Sequence, residues 1–511
     1  MAASPSPDQQ IVSPDARASA AGREVLAAGG SAADAVIAAA AVLCVVAPHM
    51  VTIGGDSWTL AGHDGDVVAV NGTGRAPTGL SADLLRGLGH TAMPGSGVHS
   101  ISVPGLPSAW AELHARYGRV PFAELLAPAI ELARDGARVA PSLSRDLAQY
   151  AERIGADPGA RALLFHPDGS PLREGDTLVQ PALARSLEAL AGDGVAALYG
   201  GELGAAYAAG LAELGGTMTR EDLARHRADV VPPLAGGRRG HEVLTAPPNS
   251  QGFALLKILA LADELGLTDP LDPDQTVTFA RIVELAGAQR DARSADPDAV
   301  EVDVAAVLDP EVVRRDAGEL TAAAGNAPAP RLDGDTIGIA AVDGDGLWIS
   351  SLQSVAGTFG SLVLEPTTGI LGHNRAGGFS LDPDRPDFLV GGRRPPHTLM
   401  PCLVRRDGRL VTTVATMGGK SQPWIVAQLL ARLDRGDTAE QALDAPRFVL
   451  HNGAVLVEQA APGPVRKALI KSFGAEVITG LDNRFGHAHL IRRLGDGALD
   501  AATDGRADGR P

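Results

Sequence analysis

Thr336 and Ser354 are the residues whose types and spacing point most directly to chemistry. Thr336 opens a β-branched, apolar run that ends in Asp343-Gly344-Asp345-Gly346, and a second apolar run follows. Two strand-like segments around a Gly/Asp turn predict a β-hairpin. With Gly344 and Asp345 in a type I turn and Gly346 as the left-handed bulge residue, Asp343 faces Leu347. Counting back along both arms then sets Thr336 opposite Ser354. A two-residue loop would move the partner to Gln353 or Val355. A threonine at the start of a strand, with a second hydroxyl across the ladder, suits one reaction in particular. If the Asp335–Thr336 bond is cut, the new α-amine can serve as base for the threonine's own hydroxyl. An ordinary strand threonine fits the same residues, so the hairpin alone does not decide.

Gly418-Gly419 is a second feature with chemical potential, because two successive backbone N–H groups at a strand-to-helix turn can form an oxyanion hole. A plain tight turn would use the same glycines. Other motifs fail. Gly418-Gly419-Lys420-Ser421 resembles the end of a phosphate-binding loop, but Val414 stands where that loop needs a glycine. His487 and His489 share one face of a predicted strand without a nearby Cys, Asp or Glu, so no metal site is expected. Gly54-Gly55 lacks the third glycine of a dinucleotide fingerprint.

The elements that must position these residues follow from the rest of the chain. Residues 1–12 read as a frayed arm. An Ala-rich helical pattern runs from Ser13 to Ala47, broken at Gly29-Gly30, with Ser31 as N-cap and Asp34 at the third helical position. Strands are expected near 51–58 and 67–71, and helices from Pro104 to Leu223. A strand at 241–246 leads into helices at 253–265 and 277–294. Residues 295–335 are rich in Asp, Pro, Ala and Gly and read as a linker that ends at Thr336. Strands then recur at 410–416, 454–458 and 488–493, with a helix at 423–433, and residues 495–511 read as a disordered tail.

Composition bounds the function. With 45% hydrophobic and 21% charged residues, the 511-residue chain reads as a soluble globular protein. A formal net charge of −17 argues against nucleic-acid and anionic-membrane partners. Cys44 and Cys402 sit in apolar contexts and read as buried thiols in a reducing compartment. No secretory signal is visible at the N-terminus. The longest apolar run, residues 35–48, is too short to span a bilayer. A cytoplasmic location is expected.

Several stretches in order along nearly the whole chain resemble the gamma-glutamyltransferase family of N-terminal nucleophile hydrolases. They include Ala-Ala-Gly-Gly-Ser-Ala-Ala-Asp-Ala-Val (27–36), Ile-Gly-Gly-Asp (53–56), Val-Pro-Gly-Leu-Pro (103–107) and Leu-Ala-Arg-Asp-Gly (132–136). Gly-Thr-Met-Thr-Arg-Glu-Asp-Leu (216–223), Pro-Pro-Asn-Ser-Gln-Gly (247–252), Asp335-Thr336, Phe359-Gly360-Ser361 and Asn374-Arg375 continue the series. Arg394-Pro395, Met417-Gly418-Gly419 and Ala445-Pro446-Arg447-Phe448 complete it. The resemblance implies an α+β fold of four αββα layers, a single composite domain. It also implies a precursor that cleaves itself before Thr336. The products would be a large subunit, 1–335, and a small catalytic subunit, 336–511, held together as a heterodimer. Carried over by position, Thr336 is the nucleophile, Ser354 assists processing and orients it, and Gly418 and Gly419 form the oxyanion hole. No metal or organic cofactor is implied.

The departures from the family pattern bear on substrate. Arg375 stands where glutathione-cleaving members have a Gln, and Gly378 where they have an acid. His397-Thr398 replaces a serine pair, and Arg75 precedes Pro77 more closely than the family's carboxylate-binding arginine precedes its proline. This pattern resembles the branch containing oxamate amidohydrolase and cephalosporin-acylase-like enzymes. A cation in place of the amine-binding acid favours an acyl group carrying negative charge or carbonyl oxygens. The expectation is an amide hydrolase for a small acidic acyl amide, with Arg75, Arg375, His397 and Thr398 lining the acyl site. Two rivals remain at this stage: a glutathione hydrolase or γ-glutamyl transferase, and an unprocessed, inactive binding protein.

Overall fold

Alternation along the central strands decides which way Thr336 faces. In the strand Asp335–Val342, Ile337, Ile339 and Ala341 pack into one core, while Ala340 and Val342 pack into another. In the strand Trp348–Ala356, Ile349 joins the first core and Trp348 and Leu352 the second. Successive side chains in a strand point to opposite faces, so the two cores lie on the two faces of one sheet. The computed structural model describes residues 8–322 and 335–509.

That sheet has six strands, in the order 10–12, 335–342, 348–356, 56–63, 66–72 and 229–231. A second six-stranded sheet runs 499–503, 488–493, 409–416, 402–406, 241–245 and 234–238. Every pairing within the two is antiparallel. Trp58, Leu60, Trp348, Leu352, Leu403, Ala415 and Ile491 fill the space between them. Gly338 permits their close approach, since a Cβ there would lie 2.8 Å from the Ala415 carbonyl carbon.

Helices cover both outer faces, giving the four αββα layers. The helix Ala32–Val46 is buried on every side and lies on the first sheet. Ser31 and Asp34 form a reciprocal capping box at its start. The helices Gly252–Glu264 and Gln422–Asp434 cover the second sheet. Among the described residues, no helix is long and apolar enough to cross a membrane.

Three segments differ from their sequence expectations. Gln10–Val12, part of the expected frayed arm, pairs with the strand that carries Thr336; residues 1–7 lie outside the described residues. In the expected linker, Val304–Leu308 and Pro310–Ala322 are helical. They are anchored by Lys257, whose Nζ lies 2.7 Å from Asp316 and donates to the Val307 carbonyl. Val313 and Ala317, one turn apart, supply the apolar stripe that composition concealed. The remainder of that linker, residues 323–334, lies outside the described residues. In the expected disordered tail, Leu499–Thr503 is an edge strand. Beyond it, fully buried Asp504 pairs with Arg447 at 2.6 Å.

Candidate active site

The hairpin turn folds as its sequence dictates, with Gly346 at φ 81° and its N–H on the Asp343 carbonyl. The ladder runs regularly from Trp348–Val342 to Gln353–Ile337 and then shifts at a bulge, resuming at Ala356–Asp335. Inside the bulge Thr336 stands beside Ser354, their hydroxyls 3.3 Å apart, and on Ser354's other side stands Asp56. Directly opposed residues project from the same face. Thr336, Ser354 and Asp56 therefore form a row across three strands, facing the gap between the sheets. All three are buried.

Ser354 sits at the centre of a short relay. Its Oγ accepts the Ala356 N–H at 2.7 Å and the Thr336 hydroxyl at 3.3 Å, and donates to the Asp335 carbonyl at 2.5 Å. That carbonyl belongs to the Asp335–Thr336 bond. The bulge holds Ala356 at φ 76°, a left-handed conformation costly for a residue with a Cβ. The second sheet supplies the other half of the site. Its strand Arg409–Thr416 leads into Gly418, at φ 131°, and Gly419. Among the described residues neither glycine's N–H has an acceptor. Gln251 steadies this loop, donating to both the Gly419 and Thr398 carbonyls.

Two cavities meet at the glycine pair. One, of about 630 Å³, is lined by Asp335, Gly418, Arg145, Tyr150, Trp424 and Arg484 among others. The other, of about 420 Å³, is lined by Gly419, Ala356, Arg375, Gly378, His397 and Thr398 among others. Arg290 and Lys420 belong to both walls. Burial, reinforced by Arg290, pushes the Lys420 ammonium below its ordinary pKa, while Asp291 at 3.0 Å holds it in place.

The predicted acyl-site residues are only partly brought together. Arg375, His397 and Thr398 line the smaller cavity, but the Arg375 fork is already occupied. Its Nε and Nη2 donate to the two Asp56 oxygens at 2.8 and 3.1 Å, and its Nη1 donates to the Thr398 hydroxyl. His397 Nε2 lies 3.0 Å from the same carboxylate. Burial, then the Arg375 charge, lowers the His397 pKa to about 4. Burial alone would raise the Asp56 pKa; Arg375 and then His397 overcome it and hold the carboxyl well below its usual range. Arg75 does not reach either cavity. Its guanidinium is tied to Asp296 and Asp298, at 3.2 and 2.5 Å. Arg75 therefore does not line the acyl site as the sequence led us to expect, and both arginine forks are engaged by carboxylates of the protein.

Asp56 is the site residue that motif spacing did not single out. The signal was present: it is the sole charge between Val51 and Gly62, in a segment that reads as buried strand. A charge there requires a partner. Gln251 likewise lay inside a quoted motif without an assigned role. Among the described residues, no three His, Cys, Asp or Glu side chains are grouped so as to hold a metal ion.

A threonine that opens a strand between two antiparallel sheets, with a serine hydroxyl 3.3 Å away and a glycine pair whose Gly418 is on the wall of the cavity that Asp335 also lines, is the arrangement of an amidohydrolase of the N-terminal nucleophile class. The chain belongs to the gamma-glutamyltranspeptidase family, whose model, described as Gamma-glutamyltranspeptidase, matches residues 18–511. Oxamate amidohydrolase proenzyme of Klebsiella pneumoniae is 35% identical, over 98% of this chain and 97% of that one. Glutathione hydrolase-like YwrD proenzyme of Bacillus subtilis is 32% identical, over 98% and 97%. The crystal structure of cephalosporin acylase from Bacillus halodurans superposes with a TM-score of 0.91 at 33% identity, covering 98% of this chain and 95% of that one.

Proposed function

We propose that the chain is a precursor that cleaves its own Asp335–Thr336 bond and then hydrolyses a small, oxygen-rich acyl amide through an ester on Thr336. One observation carries this: the Thr336 hydroxyl is 3.3 Å from Ser354 Oγ, which donates at 2.5 Å to the carbonyl of the bond to be cut. In self-cleavage the Thr336 oxygen attacks the Asp335 carbonyl carbon, and the Ser354 hydroxyl stabilises the developing oxyanion. The C–N bond breaks, nitrogen takes the proton, and water hydrolyses the resulting ester. Residues 1–335 and 336–511 remain packed as two subunits of one domain.

The released α-amine is then the base for each turnover. Because Thr336 nitrogen is bonded to Asp335, which lines the larger cavity, the amine faces that side. A leaving amine must collect its proton there. The substrate carbonyl oxygen sits on the Gly418 and Gly419 N–H groups, the acyl group enters the smaller cavity, and the amine half points into the larger one. The acyl wall offers the Thr398 hydroxyl and the outer edge of Arg375 as donors, which suit carbonyl or carboxylate oxygens. Gly378 has no side-chain carboxylate to pair with an α-ammonium, which disfavours a γ-glutamyl group. The relatives named for oxamate and for cephalosporin support an acyl range outside glutathione.

Denaturing electrophoresis of the purified protein should give two bands, the smaller beginning Thr-Ile-Gly-Ile. Ammonia release should then be faster from oxamate than glutamate release from glutathione. A single full-length band after long incubation, or a preference for glutathione over every oxygen-rich acyl amide in a panel, overturns this assignment.

A further inference from the structure

We propose that Asp56 is the specificity-determining positioning residue of the acyl pocket: it cancels the Arg375 charge and fixes Arg375 and His397, so that this part of the pocket presents its oxygen-binding donors without net charge. The inference rests on the acyl assignment above. Asp56 is fully buried and lines neither cavity, so it acts on substrate only through its partners. Both of its oxygens are spoken for, Oδ1 by Arg375 Nη2, and Oδ2 by Arg375 Nε and the nearby His397 Nε2. His397 Nδ1 accepts the Leu399 N–H at 3.1 Å, so the single proton of the neutral ring sits on Nε2, the atom 3.0 Å from the Asp56 carboxylate. His373, also buried, is held between the Gly54 carbonyl and the Ser102 hydroxyl, at 2.6 Å each. One carboxylate, one guanidinium and two neutral imidazoles sum to zero.

The consequence concerns which acyl groups are told apart. A wall with a free guanidinium would favour a carboxylate over its uncharged counterpart. Beside the Arg290 and Lys420 cations, which share Asp291, the Asp56-compensated part of the wall leaves one Arg375 edge and the Thr398 hydroxyl, which take a carboxylate or an amide oxygen on similar terms. Adding or removing one unit charge beside the acyl group, at an effective dielectric of about 20, changes that preference on the order of tenfold or more.

Oxamate and oxamide form the test pair, since both release ammonia and differ in the charge of the acyl group. The ratio of their kcat/KM values is measured for wild type, Asp56→Asn, Arg375→Gln and the double variant. Asp56→Asn makes the wall positive, Arg375→Gln makes it negative, and the double variant restores neutrality. The ratio should rise about tenfold in Asp56→Asn, fall about tenfold in Arg375→Gln, and return near wild type in the double variant. A purely structural ion pair would lower all rates and leave the ratio unmoved, which overturns the proposal. If Asp56→Asn does not fold, Arg375→Gln against the double variant must still differ by about tenfold; equal ratios there overturn it too. The same ratio is read as oxamate and oxamide binding to the Thr336→Ala protein by calorimetry. That measurement separates a failure of this inference from a failure of Thr336 as nucleophile.

Discussion

The two ends of the Thr336–Ser354–Asp56 row are held by different forces. At one end, hydroxyls are joined by single hydrogen bonds, the Thr336–Ser354 contact being a long 3.3 Å. At the other, a fully buried carboxylate is gripped by a two-pronged guanidinium and an imidazole. A neutral hydrogen bond contributes about 0.5–1.5 kcal/mol, whereas removing one member of a buried ion pair costs about 3–5 kcal/mol. The hydroxyl end can exchange protons and partners with little effect on folding. The charged end is rigid, and its loss is felt by the whole molecule. Chemistry and anchoring are thus separated by two strand spacings on one sheet.

The largest effect should come from the hydroxyl end and should touch chemistry alone. Thr336→Ala removes the oxygen proposed to attack, so the protein should remain a single full-length band with no amide hydrolysis, while its Tm stays within a few degrees of wild type. Two bands from this variant would show that another residue, or a contaminating protease, cuts the chain.

Arg375→Gln probes the opposite end and should show the opposite pattern. It leaves Asp56 buried with only the His397 ring beside it, so the stability loss should be about 3–5 kcal/mol, visible as a marked fall in Tm. Self-cleavage should still occur, because Arg375 bonds to neither Asp335 nor Thr336. An unchanged Tm would mean that the charged end is no anchor and the contrast between the ends is wrong. Ser354→Ala falls between these extremes. It deletes the donor to the scissile carbonyl, and loss of such a donor typically slows a reaction by about 10²–10³-fold. Cleavage followed by gel over time should show that slowing, with a stability change near 1 kcal/mol. Cleavage at the wild-type rate would remove Ser354 from the mechanism.

The same contrast explains what the sequence disclosed. The hydroxyl end was legible because its geometry is local: Asp343-Gly344-Asp345-Gly346 sets the turn, the turn sets the register, and the register sets Thr336 opposite Ser354. The N-cap at Ser31 was legible for the same reason. The charged end was not, because Asp56 and Arg375 are 319 residues apart and only the closed sheets bring them together. Arg375 was noticed as a substitution in a family pattern, and its fork looked free because its partner was out of sight. The linker failed differently. Its Asp, Pro and Gly content suggested irregular chain, but Val313, Ala317 and Asp316 on one helix are enough to dock it against the helix Gly252–Glu264. Composition averages over the few positions that decide docking.

Acid should sharpen the contrast most finely, since the charged end carries a side chain that titrates and the two hydroxyls do not. The fold holds His397 at a pKa of about 4, below the ordinary 6.5, chiefly by burial and then by Arg375. The unfolded chain therefore binds the extra proton first. The stability contributed by keeping this ring neutral is complete above about pH 6.5 and is lost as pH falls toward about 4. At pH 5 the loss is about 2 kcal/mol. His49, His226, His487 and His489, each buried and lowered to about 3, add to the same decline. Asp56 responds later. Its carboxyl is held below the ordinary 3.8, so its contribution is present above that value and is lost only as pH falls further. Tm measured from pH 7 to 5 should drop steadily in wild type. His397→Gln, which removes one titrating ring, should start lower but lose about 2 kcal/mol less over that interval. Parallel curves for the two proteins would mean that the fold does not hold His397 neutral, and the tight grip assigned to the Asp56 end would have to be given up.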